Sequence, residues 1–241
     1  IRMSRREFIK ASAGVVIGGL ATGLPVHAYA HAQGSDRLRV GLIGCGGRGT
    51  GAAMDCLRAD EGVVIHALGD IFQDRLEASR NGLREEFKDR ADVPPERCFI
   101  GFDAYKRVID SGVDLVLLCT PPAFRPLHFL YAVEAGKHVF MEKPVAVCPE
   151  GVRMMLRGDE IVRQKRLGVV AGTQYRHHPG YIETVRRIHD GQIGEIRAMY
   201  AYYNAASPGV KPRQPDWSEM VYQLRNWLFY TWLAGDQPVE Q

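Results

Sequence analysis

The sequence predicts an α/β fold in which helices cover both faces of a doubly wound parallel sheet. Between residues 38 and 172, short apolar runs alternate with segments of helical spacing, as they do where crossover helices link parallel strands. The first apolar run leads directly into a glycine-rich turn. A stretch of about 140 residues is enough for one domain with an adequate core.

Five apolar runs are predicted as strands, because their lengths suit the buried strands of a parallel sheet. They are residues 38–43, 63–68, 114–119, 138–141 and 167–171. The segments between them carry helical spacing and predict helices over residues 50–59, 72–88, 103–111, 124–135 and 149–165. Residues 92–97 contain two adjacent prolines and are predicted to form a loop.

The pattern changes toward the end of the chain. It predicts a helix at about residues 179–190, a strand rich in aromatics at 196–203 and an amphipathic aromatic segment at 217–232. A single strand leaves its backbone hydrogen-bonding groups unpaired and cannot bury its own apolar face. We therefore expect residues 173–241 to be the beginning of an incomplete α+β substrate domain that is cut short, after a sheet domain at residues 31–172.

The turn after the first predicted strand has the glycine spacing of a dinucleotide-binding motif. In the sequence GCGGRG, Gly44, Gly46 and Gly49 occupy the three positions of GxGxxG. The first glycine makes the tight turn, the second lets phosphates approach the backbone, and the third lets the helix pack on the sheet. Gly47 and Arg48 lie in the same turn, where the helix N-terminus faces the anion. The combination predicts a Rossmann unit.

A carboxylate follows the second predicted strand. The run VVIHAL ends at Gly69 and Asp70, where an acidic residue of a Rossmann unit accepts hydrogen bonds from the adenosine ribose and repels a 2′-phosphate. Asp70 therefore favours NAD over NADP. The alternative is that Asp70 is only the N-cap of a helix from Ile71 onward. Arg75, one turn further on, is the residue that could reverse the preference and make NADP the cofactor.

Residues 1–30 have the pattern of an export signal. Arg5 and Arg6 precede a weakly apolar stretch at residues 11–24, as in twin-arginine signals, and an AYA cleavage site ends at Ala30. We expect recognition by the twin-arginine (Tat) export machinery and a periplasmic or otherwise exported protein. The alternative is an uncleaved membrane anchor, although the apolar stretch is shorter than the ~20 residues that a spanning helix needs.

The charge and cysteine content argue against several classes of function. The chain has a net charge of +3, but residues 1–30 hold four basic residues and one acidic residue. The remainder is close to neutral, and nothing in it predicts a nucleic-acid surface. The five cysteines show no CxxC spacing, so we expect all five to be small buried hydrophobes. His177 and His178 lack a third ligand at a suitable spacing, so no metal site is predicted.

Several motifs together resemble the Gfo/Idh/MocA family of oxidoreductases. They are the glycine turn, CTPP at 119–122, EAGKHVFMEKP at 134–144 and GTQYRHHP at 172–179. The aromatic tail resembles an exported branch of that family. The resemblance implies a domain that binds NAD or NADP and exchanges a hydride with a sugar or polyol. It also implies a homo-oligomer when the protein is of full length.

The resemblance also assigns site residues by position. Lys143, the lysine of the EKP motif, is placed close to nicotinamide and substrate as the catalytic residue, with Glu142 beside it. The residues placed near cofactor or substrate are Thr120, Pro121, Pro122 and Arg176. Lys143 follows a predicted strand and so falls at the carboxyl edge of the sheet, where ligands bind in open α/β folds and where it could accept a hydroxyl proton. The alternative is a solvated surface lysine.

Members of the family carry a further acid/base set in the second domain, commonly Asp and His at DxxxH spacing, and this sequence contains none by Gln241. We therefore expect an NAD(P)-dependent oxidoreductase in full-length form and leave the competence of these 241 residues open. Two other functions fit the same motifs: an NAD-dependent glycosidase that acts by transient oxidation, and a module that binds cofactor or sugar without turnover. Export in a folded state further predicts a cofactor that is loaded before transport and held tightly.

Overall fold

The computed structural model describes residues 37–204, 206 and 209–236. The export signal predicted at residues 1–30 lies outside these described residues. Within them, no helix combines the length and the apolar character that crossing a membrane requires.

Six parallel strands in the described part of the chain form one sheet, in the order β3-β2-β1-β4-β5-β6. The strands are β1 Leu38–Ile43, β2 Val63–Asp70, β3 Cys98–Ile100, β4 Leu115–Leu118, β5 His138–Met141 and β6 Val169–Ala171. The order runs outward in both directions from the neighbouring strands β1 and β4, which leaves a crevice at their carboxyl ends. This topology confirms the predicted doubly wound α/β fold.

Helices connect the successive strands close to the predicted positions. They are α1 Gly47–Ala59, α2 Gln73–Phe87, α3 Ala104–Asp110, α4 Arg125–Glu134, α5 Pro149–Lys165, α6 Pro179–His189, α7 Glu219–Arg225 and α8 Thr231–Ala234. The first five are the crossovers between β1 and β6. Pro149 and Glu150 open α5, as the sequence predicts.

Three local features differ from the predictions. Residues 196–203 form no strand and are exposed to solvent, because a strand requires a partner and this segment pairs with none of the six strands. Residues Pro95–Arg97 form a 3-10 turn inside the predicted loop, since proline presets the backbone of a first helical position. Strand β3 was not predicted, because three residues are too few for a periodic pattern.

Apolar side chains pack on both faces of the sheet. Along β4, Val116 and Leu118 belong to a buried cluster with α3, α4 and part of α5, whereas Leu117 belongs to a second cluster with α1 and α2. Successive residues of a strand point to opposite faces. Both faces are therefore buried, which explains why the apolar runs in the sequence are continuous.

Helix α1 begins in direct contact with the ends of β1 and β4. A Cβ atom on Gly49 would lie 1.8 Å from the Gly44 carbonyl oxygen and 3.1 Å from Cys119 Cβ. Gly44 itself has φ +96°, a conformation that other residues rarely adopt, and a Cβ there would lie 2.8 Å from Thr120 N. The two glycines therefore allow the helix to start at the crevice.

Arg125 and His128 are polar side chains buried in α4, with 2% and 7% of their surface exposed. Arg125 donates hydrogen bonds to the carbonyls of Thr120 and Pro144, and so joins the turns after β4 and β5. The His128 ring stacks on Tyr105 at 4.2 Å between centroids, and its Nδ1 lies 3.3 Å from Thr120 Oγ1. Burial, followed by the charge of Arg125, lowers the pKa of His128 to about 3.

The Gly49→Ala substitution is expected to destabilise the fold by about 1–3 kcal/mol or more, because the new methyl group overlaps the Gly44 carbonyl. The matched control is Gly82→Ala in α2, where an added Cβ meets no described atom within 4 Å outside the backbone of its own helix. That change should stabilise the fold by about 0.4–1 kcal/mol through the unfolded chain. Urea unfolding measures the free energy of unfolding of each variant. Equal changes in this free energy at the two glycines would contradict the close packing of α1.

His128 is expected to make the fold less stable as the pH falls. Its folded pKa of about 3 lies below the ordinary value of 6.5, so the unfolded chain takes up a proton first and stability is lost between these two values. From pH 7 to pH 5 this single group should remove about 2 kcal/mol from the free energy of unfolding. Urea unfolding at pH 7 and pH 5 measures the decrease in the free energy of unfolding. This decrease should be smaller in His128→Gln than in wild type by that amount. Equal losses in the two proteins would contradict the assignment.

Candidate functional site

A cleft of about 1190 Å³ opens at the carboxyl ends of β1, β2 and β4. The residues predicted for cofactor binding that line it are Gly44, Gly46, Gly47, Arg48, Gly49, Asp70, Thr120 and Pro121. They converge because the turns after parallel strands meet at one edge of the sheet. Ligand pockets usually measure roughly 300–1,000 Å³, so this cleft is large enough for a dinucleotide.

The N-terminus of α1 opens into this cleft. Gly46 is its N-cap, and neither a side-chain cap nor an acidic residue in the first turn satisfies the helix start. The first N–H groups of a helix lack partners within it, and they attract anions. Cβ atoms built on Gly46 and Gly47 meet no described atom within 4 Å, so the backbone is open to an approaching group. These features fit a diphosphate.

Asp70 holds the glycine turn to the end of β2. Its Oδ2 accepts a hydrogen bond from Cys45 N at 2.7 Å, and its Oδ1 accepts one from Phe72 N at 2.8 Å. The N-cap position of α2 is Phe72, so Asp70 bonds the backbone just before the helix. Burial raises the pKa of Asp70, and the backbone hydrogen bonds oppose this shift. The carboxylate therefore has a structural role in addition to the predicted contact with a ribose.

Arg75 lies beside Asp70 on the wall of the cleft. Its guanidinium carbon is 5.1 Å from the centre of the Phe72 ring. Burial lowers the pKa of Arg75, and the negative charge of Asp70 opposes this effect. The residue that the sequence identified as able to alter the cofactor preference thus stands next to the predicted ribose position.

Cys45 and Cys119 also line the cleft. Burial raises the pKa of Cys45 well above its usual range and that of Cys119 to about 12, so both remain neutral beside a bound anion. The prediction that all five cysteines are buried is wrong. Cys148 is exposed, because it precedes α5 and its Sγ accepts a hydrogen bond from Gly151 N there.

The motif turns after β4 and β5 lie next to each other. Arg125 bridges them through the carbonyls of Thr120 and Pro144. Thr120 and Pro121 face the cleft, whereas Pro122 does not line it. Lys143 follows β5 at the carboxyl edge, where it is half-buried, and does not line the cleft either.

Glu142 lies in a second, smaller cavity of about 410 Å³ beyond Arg48. Arg48 borders both cavities, and its Nε is 3.0 Å from Glu142 Oε1. The Glu142 side chain is 13% exposed, so the ion pair compensates a largely buried carboxylate. Arg176 is exposed on the 3-10 turn Gln174–His177 and lines neither cavity. The structure therefore brings most of the predicted residues into the cleft but leaves Pro122, Glu142, Lys143 and Arg176 outside it.

One wall of the cleft was not predicted from the sequence. Lys211, Leu224 and Trp227 line it, although they are more than ninety positions from Thr120 in the chain. The aromatic pattern of residues 217–232 was the available signal, and it indicated an apolar face without identifying what that face contacts.

Comparisons with known proteins agree with this site. Residues 38–169 match the model of the Gfo/Idh/MocA group, which is described as an oxidoreductase family with an NAD-binding Rossmann fold. The chain is 29% identical over 202 residues to inositol 2-dehydrogenase 4 of Saccharopolyspora erythraea, which covers 83% of this chain and 55% of that protein. It is also 33% identical over 159 residues to the inositol 2-dehydrogenase/D-chiro-inositol 3-dehydrogenase of Halalkalibacterium halodurans. That match covers 66% of this chain and 42% of that protein.

Solved structures share the fold. The scyllo-inositol dehydrogenase of Lactobacillus casei with bound NAD(H) and scyllo-inositol superposes with a TM-score of 0.54 at 20% identity, over 66% of this chain and 43% of that one. The 3-ketoreductase KijD10 of Actinomadura kijaniata in complex with NADP gives a TM-score of 0.51 at 26% identity, over 67% and 46%. The chain spans about half the length of the curated relatives it matches.

The family match covers more than half of the chain and includes the glycine turn, strands β1 to β5, and the cleft residues Asp70, Thr120 and Pro121. The chain therefore belongs to the Gfo/Idh/MocA family of oxidoreductases, through its NAD-binding Rossmann domain.

Proposed function

We propose that the whole protein is a nicotinamide-dependent oxidoreductase that oxidises a secondary hydroxyl group of a sugar or polyol, or reduces the corresponding ketone. The observation that carries this proposal is the uncapped N-terminus of α1, which opens into a cleft of dinucleotide size beside Asp70. The relatives named as inositol dehydrogenases support a cyclic polyol as the substrate class.

Different residues of this chain bind different parts of the dinucleotide under this proposal. The N–H groups at the start of α1 hold the diphosphate, and Gly46 leaves room for its approach. Asp70 accepts hydrogen bonds from the adenosine ribose while it keeps the glycine turn in position. Thr120 and Pro121 form the opposite wall, and Arg125 fixes their turn.

NAD, when bound in the cleft, would supply the acceptor for the hydride that leaves the substrate carbon. The neutral amine form of Lys143 would accept the hydroxyl proton and become an ammonium group, because a lysine at the carboxyl edge of the sheet is within the region where ligands bind. Arg125 bonds to the carbonyl of the following residue, Pro144, and so positions the turn that carries the lysine. Glu142 forms an ion pair with Arg48. Lys143 is therefore the acid/base group of the motif.

The cofactor under this proposal is NAD rather than NADP. Asp70 would place a negative charge next to a 2′-phosphate. The NADP complex of the structurally similar 3-ketoreductase makes Arg75 the residue to examine if NADP binds as well. The family resemblance supports a homo-oligomer, and the Arg5–Arg6 pattern supports export through the twin-arginine pathway with the cofactor already bound.

The Gly46→Ala substitution is expected to weaken NAD binding at least tenfold, or by about 1.4 kcal/mol, while the fold keeps its stability. Gly46 has φ −71° and ψ −179°, which alanine adopts without strain, and the added Cβ meets open space in the cleft. Fluorescence titration with NADH and thermal unfolding measure the two effects. Gly82→Ala, remote from the cleft, is the control and should bind as the wild type does. Unchanged affinity in Gly46→Ala would contradict the diphosphate site.

The Lys143→Met substitution is expected to lower kcat of the whole protein by about 10²–10⁴-fold, because it removes the proton acceptor. The affinity for NAD should remain within about threefold of wild type, since Lys143 does not line the cleft. Steady-state oxidation of inositols, followed by NADH absorbance, measures kcat. Lys137→Met before β5 is the control and should retain full activity. Turnover that survives in Lys143→Met would remove this lysine from the mechanism.

A further inference from the structure

Residues 211–234, here called the crossing segment, contact both loops that flank the end of β1. On one side, the Arg225 guanidinium lies 2.9 Å from both carboxylate oxygens of Asp74, which follows β2. On the other side, Leu233 accepts a hydrogen bond from Ala123 N, at 3.1 Å, after β4. Since β2 and β4 are the two neighbours of β1, the crossing segment spans the crevice.

The contact after β2 is built around one half-buried cation, Arg225. The Arg225 side chain is 16% exposed and lies between two rings, with its guanidinium carbon 4.1 Å from the centre of Phe72 and 4.9 Å from that of Trp217. The ion pair with Arg225 lowers the pKa of Asp74. Bidentate pairing and ring stacking together make a geometrically specific anchor.

Apolar packing supports the same contact. Leu224 and Leu233 are buried in a small cluster with Phe72, next to Phe124. This cluster is separate from the two clusters on the faces of the sheet. The crossing segment is thus attached to both loops by buried apolar surface as well as by polar bonds.

The inner side of the crossing segment faces the cleft. Lys211, Leu224 and Trp227 line the cleft together with Asp70 and Arg75. The buried Asn226 holds the backbone of Lys211 by accepting from its N–H at 2.7 Å and donating to its carbonyl at 3.2 Å. Burial and the neighbouring charges of Arg75 and Arg225 lower the pKa of Lys211. A bound anion would therefore offset the repulsion among these three cations.

This wall stands at the adenosine end of the cleft. In a Rossmann unit the acidic residue after the second strand marks the adenosine ribose, and here Asp70 and Arg75 occupy that region. Phe72 and Asp74, to which Arg225 is attached, lie at the start of α2, in this same region of the chain.

We propose that the crossing segment forms part of the cofactor site, where it covers the adenosine diphosphate half of the dinucleotide and slows its release. Lys211 contributes positive charge toward the phosphates, Trp227 provides an apolar wall beside the adenine, and the Arg225–Asp74 pair keeps the segment in place. This inference rests on the proposed function, because it requires a dinucleotide in the cleft.

The test measures the release of NADH from the protein by chasing bound NADH with excess NAD in stopped-flow fluorescence. Arg225→Ala should release NADH at least tenfold faster than wild type. Lys211→Met, which leaves the anchor intact, should bind adenosine diphosphate about tenfold more weakly and bind nicotinamide mononucleotide unchanged. Arg213→Ala is the matched control, because Arg213 pairs with Glu219 on the exposed side of the same segment and should release NADH within twofold of wild type.

The outcomes separate this inference from the proposed function. If wild type binds NADH but Arg225→Ala and Lys211→Met behave as wild type, the crossing segment is not part of the cofactor site and the proposed function stands. If Arg225→Ala does not fold, the affinity of Lys211→Met for adenosine diphosphate tests the inference alone. An unchanged affinity then excludes the crossing segment from the cofactor site. If wild type binds no NADH, the proposed function fails, and this inference fails with it.

Discussion

The close approach of α1 to the ends of β1 and β4 is the constraint on which the rest of the structure depends. Gly49 lies so near the Gly44 carbonyl and Cys119 that no side chain fits between the helix and the sheet. A larger residue would push the helix outward and withdraw its N–H groups from the crevice. The same contact therefore sets the packing of the first βαβ unit and the position of its anion-binding helix end.

Asp70 extends this constraint to the second strand. Its carboxylate accepts backbone hydrogen bonds from Cys45 in the glycine turn and from Phe72 in the next loop, so it fixes two walls of the cleft relative to each other. A buried carboxylate of this kind must be compensated by hydrogen bonds. With the proposed contact of Asp70 to the ribose, cofactor preference and fold stability would be coupled at this position, and a substitution of Asp70 would alter both. The neighbouring Arg75 lines the cleft and bridges no two segments among the described residues, so it is the position at which specificity can be changed with less effect on the fold.

The extent to which the sequence predicts this structure depends on the range of each interaction. The long strands and helices follow from apolar periodicity, and the glycine turn follows from local backbone requirements. Strand β3 was not predicted, because three residues are too few to show a periodic pattern. Residues 196–203 have the composition of a strand but pair with none of the six strands. Contacts such as Arg125 to Pro144, Arg48 to Glu142 and Arg225 to Asp74 join distant segments. No local pattern could have predicted those pairings.

The distribution of charge around the cleft follows from these long-range pairs. Glu142 neutralises Arg48, and Asp74 neutralises Arg225, so two of the arginines serve to hold segments together. Arg75 and Lys211 instead face the cleft, where burial lowers the pKa of both. Keeping cations partly desolvated is unfavourable unless an anion compensates them. Asp70 compensates part of the charge of Arg75, and an anionic cofactor would compensate the remainder together with the charge of Lys211.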